Sequence, residues 1–99
     1  MLRIPLQAVP NQTLAVTLAR QPVQLAVRQN GGSLYIDVMH NGLYIVRTRI
    51  CRNRQRLLLD AGYRGFAGDF MFVDTQGSDD PQYAGLGVRY QLLYIGADE

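Results

Sequence analysis

The sequence predicts an all-β fold: a single compact antiparallel β-sandwich or barrel of about seven strands over residues 1–99, with a long ordered loop in its C-terminal part. Three observations lead there. Apolar residues recur with a period of two through most of the chain, short Gly-, Asn- and Pro-containing stretches punctuate those runs, and no segment sustains a helical period. Ninety-nine residues suit one core, because a chain of this size buries roughly 60–70% of its unfolded surface, enough for one core and not for two.

The opening MLRIPLQAVPNQTL has no sustained apolar run, so neither an export signal nor an anchor is expected there. No stretch approaches the roughly 18–20 apolar residues that a membrane-spanning helix needs. Alternation then begins. Leu14, Val16 and Leu18 mark one strand, Val23, Leu25 and Val27 the next, and Leu34, Ile36 and Val38 a third. ARQP separates the first two, NGG at 30–32 the next pair, and Asn41-Gly42 supplies the two positive-φ positions of a type I′ hairpin turn. A β-meander follows.

The strand after Asn41-Gly42 raises a conflict. The turn pairs Val38 with Ile45, but the same register sets Arg47 beside Ile36 and Arg49 beside Leu34, where a core should be. The strand leaves the sheet after about Val46, or a bulge shifts the register, or the face is buried only near the hairpin tip. The first is the expectation, leaving Tyr44, Val46, Thr48 and Ile50 on the opposite face as a subunit contact.

Beyond residue 50 the texture changes. QRLLLDAG (55–62) allows a short turn, and DAGYRGFAGD (60–69) carries three glycines. DFMFVD (69–74) is apolar on both faces, as a central strand should be. TQGSDDPQYAGLG (75–87) reads as a long loop and VRYQLLYI (88–95) as the final strand. A loop of that length in so small a chain is a candidate contact element. Asp74, Asp80, Pro81, Tyr83 and Arg89 are expected to order it: Pro81 and Tyr83 by pinning it to the sheet, Asp80 by accepting from its amides, and Asp74 by pairing with Arg89 or Arg64.

Few catalytic groups are available. The chain has no lysine, which removes Schiff-base and P-loop chemistry. His40, the only histidine, flanks a turn, and neither Ser33 nor Ser78 sits in a nucleophile elbow. Cys51, alone, excludes an internal disulfide and a cysteine-rich metal site, and reads as a small buried residue. Asp74, Asp79 and Asp80 do not match a calcium-loop pattern, and GLG at 85–87 precedes a strand, unlike a dinucleotide fingerprint. No enzyme activity, cofactor, metal or small-molecule substrate is expected.

The ten positive charges are all arginine, set against eight acidic groups, and five fall within ten positions: Arg47, Arg49, Arg52, Arg54 and Arg56. Basic character is therefore local. On an extended strand Arg47 and Arg49 share one face while Arg52, Arg54 and Arg56 share the other, with Cys51 at the change. Arginine without lysine, beside six tyrosines, favours geometric pairing with a protein partner. The same pair also suits single-stranded nucleic acid on an OB-like sheet, which stands as the alternative reading.

The stretch YRGFAGDFMFVDTQGSDDPQYAGLGVRYQLLYI, with the opening IPLQAVPNQTLAVTL, resembles the small baseplate plug family of contractile-tailed bacteriophages. The likeness is carried by Gly68-Asp69, Phe72-Val73-Asp74, Gly77, Asp80-Pro81, Tyr83, Gly85-Leu86-Gly87 and Arg89-Tyr90. It implies a structural virion component without catalysis, a homo-oligomer in the central baseplate where the tail tube meets hub and spike proteins. The implied location is the phage tail, assembled in the host bacterial cytoplasm, with no membrane association.

Overall fold

The computed structural model describes residues 2–58 and 66–96. Among them, seven strands make two antiparallel sheets: β1 (Leu2–Ile4), β2 (Asn11–Leu18), β3 (Gln21–Asn30), β4 (Ser33–His40), β5 (Leu43–Ile50), β6 (Asp69–Asp74) and β7 (Tyr90–Ile95). The order is β2-β3-β4-β5 in one sheet and β1-β7-β6 in the other. The fold is all-β and sandwich-like, as the alternation predicts.

Three two-residue turns build the meander. Asn41 (φ 53°) and Gly42 (φ 75°) both take positive φ, the requirement of a type I′ turn. Ala19 (φ 50°) and Arg20 (φ 66°) adopt the same signs without a glycine or asparagine. At the Gly31-Gly32 turn only Gly31 is positive (φ 61°).

Alternation decides what is buried. Val23, Leu25 and Val27 of β3, Leu34, Ile36 and Val38 of β4, and Ile45 of β5 face Phe70, Phe72, Leu92 and Tyr94 of the other sheet in one apolar cluster. Phe66 completes it, stacked on Phe70 at 5.7 Å and edge-on to Tyr94 at 6.1 Å. Gly68 (φ 108°) lets the chain pass that ring: a Cβ there would lie 2.6 Å from Tyr94 Cε1.

The structure corrects the expected departure of the fifth strand after Val46. β5 stays paired to Ile50, and two one-residue shifts take Arg47 out of the pairing while a half-buried Arg49 comes opposite Ile36: Met39 faces Tyr44, Val38 faces Val46, and Ile36 faces Arg49. The bulge has a visible cause. Asp37, on the outer side of β4, accepts the Thr48 N–H at 2.5 Å, while Arg28 donates to Asp37 Oδ2 at 2.8 Å and to Thr48 Oγ1 at 2.9 Å. Thr48 is thereby held at φ 52°, an unusual conformation for a β-branched residue. The Arg28 contact holds the Asp37 carboxyl below its ordinary range, against the opposing effect of burial.

After Ile50 the chain crosses between sheets. Cys51 is buried and donates its N–H to the Leu34 carbonyl; burial pushes its thiol up to about 12. Residues 53–57 then run along β6, with Arg54 N–H on the Phe72 carbonyl (2.8 Å) and Leu57 N–H on the Phe70 carbonyl (3.0 Å). Within the described part of the stretch 55–62, where a short turn is expected, Arg56 bridges to Met71 and the chain bends at Leu57. The rest of that stretch, the glycines at 62 and 65 and the alternative partner Arg64 lie outside the described residues. The last strand starts at Tyr90, two residues later than expected, because 87–89 form a turn.

Candidate functional site

The surface that stands out is made by β5, the crossing segment 51–58 and the long loop 75–89. It is built outward from Asp74, the last residue of β6. Its side chain is wholly buried and receives Arg89 through two bonds, Nε to Oδ1 and Nη2 to Oδ2, both 2.8 Å. The loop N–H groups of Gln76 and Asp79 donate to the same carboxylate at 2.9 Å each. Arg89 holds Asp74 well below the usual carboxylate range, with those two amides adding to it and burial opposing. Arg89 also reaches Asp79 Oδ2 at 2.9 Å, and its guanidinium is raised in turn. One arginine and one carboxylate thus close the two ends of the loop on each other.

The middle of the loop is held otherwise than expected. Pro81 is buried, but Tyr83 is 37% exposed and is fixed through its N–H, which donates to Gln29 Oε1. Gln82 bonds Gln29 at 2.8 Å and the Gly32 carbonyl at 2.8 Å, tying the loop to the β3–β4 turn. Asp80 does not accept from its own loop. Its Oδ1 takes the N–H of Asn53, and Asn53 Oδ1 takes the N–H of Asp74. Asn53, set between Arg52 and Arg54, therefore couples the arginine segment to both the buried clamp and the loop. Sequence reasoning missed Asn53, Gln29 and Gln82; an Asn inside a charged run is a turn signal, and Arg54 beside it takes φ 59°.

The five arginines lie on that framework. Arg47 is exposed and stacks over the Tyr44 ring at 4.5 Å. Arg49 is half-buried and shares a surface recess of about 230 Å³ with Ile50, Gln55 and Arg56. Arg52, Arg54 and Arg56 are exposed. The cluster follows the chain from β5 into the crossing segment, the rim of this surface: Arg49 and Arg56 line one recess, and Arg52 lines another with Cys51 and loop residues 79–82. Arg28 and Arg89 are engaged in ion pairs, whereas the Arg49, Arg52, Arg54 and Arg56 side chains have no ion pair or hydrogen bond among the described residues.

The four residues expected to form an apolar contact face are split by the bulge. Val46 packs against the core, Ile50 is half-buried opposite Tyr35, Thr48 is engaged with Asp37, and Tyr44 alone of the four is an exposed large side chain, at 42%.

His40 is occupied structurally, its Nδ1 2.9 Å from the Pro22 carbonyl oxygen and its ring edge-on to Phe66. Among the described residues no group of His, Cys, Asp or Glu is placed to hold a metal ion, and no helix is long and apolar enough to cross a membrane. What the rim offers chemically is geometric, charge-assisted bonding by uncommitted guanidinium groups. A family model described as the cyanophage baseplate Pam3 plug gp18 matches residues 1–98. No curated protein matches the chain.

Proposed function

The chain belongs to the cyanophage baseplate plug family, and from that premise we propose that it is a non-catalytic plug at the central hub of a contractile tail, where tube meets spike. Homo-oligomeric and hub-protein contacts hold it there. Assembly in the host cytoplasm and the neighbouring tube, hub and spike proteins belong to the same proposal.

The observation that carries it is the rim of uncommitted arginines. A small protein gains nothing in its own folding from four guanidinium groups that have no acidic partner among the described residues, and their mutual repulsion is a modest cost. The backbone that carries Arg52, Arg54 and Arg56 is also fixed, by the Asn53 bonds, by Arg54 N–H on the Phe72 carbonyl and by the bridge from Arg56 to Met71. A neighbouring acidic surface, meeting them bidentately, would supply both affinity and orientation.

The test replaces Arg52, Arg54 and Arg56 with glutamine. The purified variant should fold with wild-type stability and fail to enter tails. Wild-type incorporation of the variant would refute the role. If the wild-type chain instead retards single-stranded oligonucleotides at physiological salt, and the variant loses that binding yet still assembles, the arginines serve phosphate.

A further inference from the structure

The two sheets have four edges, and three are visibly protected. β1 is three residues long and carries Arg3. The outer edge of β6 is covered by residues 53–57. β5 is broken by two register shifts and carries Arg47 and Arg49. Short length, cover, bulges and charge are the devices that stop one sheet from pairing with another.

Among the described residues β2 has none of them. Its eight residues, NQTLAVTL, contain no charge and no proline, and all eight pair with β3 without a register shift. The direction of its free backbone groups follows from the turn. Leu18 and Gln21 close a two-residue hairpin and so form a hydrogen-bonded pair, after which bonded and non-bonded pairs alternate. Val16, Leu14 and Gln12 therefore bond to β3, while Thr17, Ala15, Thr13 and Asn11 point their N–H and C=O groups away from the sheet. Among the described residues no backbone group takes them up.

We propose that the β2 edge docks a second copy of this chain, the two β2 strands pairing antiparallel about a two-fold axis to join two four-stranded sheets into one of eight. A second copy is favoured over another partner by charge. The uncharged edge meets itself without repulsion, whereas β5 against β5 would oppose arginines. Closure agrees, since a two-fold contact consumes both β2 edges and leaves only the bulged, basic β5 at each end.

The pleat limits the register. Core-side residues must meet core-side residues, so paired positions sum to an even number. Setting Ala15 opposite its own counterpart brings the partly buried Leu14 beside Val16 of the copy, twice, and Thr13 beside Thr17. Shifting the centre to Leu14 would instead put Gln12 against Val16. The contact specifies the self-association in the reading above but rests on the edge alone, so its failure leaves the arginine rim untouched.

The experiment uses the purified full chain. Sedimentation should show a dimer, and amide exchange should show Thr13, Ala15 and Thr17 protected in the dimer and exposed on dilution, with Leu14 and Val16 protected throughout as an internal control. Ala15→Pro removes an outward N–H that the β2–β3 ladder does not use, and Ala15→Arg adds a charge facing its own copy. Each should weaken the dimer by roughly tenfold or more, with Leu14 and Val16 still protected. The proposal is overturned by a wild-type chain that stays monomeric, by a dimer in which Thr13, Ala15 and Thr17 exchange freely, or by protection that requires a different protein. A dimer that both variants leave intact overturns it as well.

Discussion

Asp74 and Arg89 show how much one buried carboxylate can organise. Four donors converge on it: two guanidinium nitrogens and the N–H groups of Gln76 and Asp79. Its folded-state pKa is depressed, with Arg89 the largest cause. Such a group stabilises the fold fully above its unfolded value of about 3.9 and loses that contribution only as pH falls through the lower folded value. Loop order should therefore persist through mild acid, begin to weaken only below about pH 4, and be lost progressively as pH falls further toward the depressed folded value. Asp74→Asn should be less stable at neutral pH, should flatten the acid limb of the stability–pH curve, and should be nicked faster between residues 76 and 87. Denaturant titrations across pH and limited proteolysis check both. The sequence already offered Arg89, beside Arg64, as the partner of Asp74, because an aspartate and an arginine at opposite ends of a long loop suggest a clamp. It did not indicate Asn53 or Gln82, whose partners Asp80 and Gly32 are brought close only by the fold.

Strand β5 is the element where pattern and structure part company. Period-two alternation and the Asn41-Gly42 turn located the meander, since burial and turn chemistry are both written in residue type. The register beyond the turn is not, because it shifts twice, and the second shift, between Val38 and Ile36, is held by a bond from the Thr48 N–H to Asp37 and by the arginine that holds Asp37. Those two shifts turn Val46 toward the core and take Arg47 out of it. Val46→Asp should accordingly destabilise the monomer by about 1–3 kcal/mol, through a carboxylate pressed against apolar neighbours. Chemical denaturation of the variant measures this, and unchanged stability would mean that Val46 faces a subunit contact after all. The cover of β6 was equally illegible. Residues 53–57 bond to it through backbone groups, and a run of arginines gives no hint of a strand edge waiting for them.

At the scale of the molecule, the two sheets meet through one apolar cluster and are tied at each end by glutamines, Gln21 to Ala67 and Gln29 to Gln82. Phe72, fully buried between the sheets, should cost about 3–5 kcal/mol when replaced by alanine, and the variant should still unfold in a single transition with both sheets lost together. Two separate transitions, followed by circular dichroism and tyrosine fluorescence, would show the sheets to be independent units. With the core and the clamp accounting for the fold, the arginine rim is left as surplus, and the baseplate reading depends on what it meets. Cryo-electron microscopy of assembled tails tests that most directly. The expected result is density for the two-sheet body on the axis of the baseplate, with the Arg52–Arg56 rim against acidic groups of a neighbouring subunit. A baseplate axis without this body, or a rim that faces open solvent, would contradict the account.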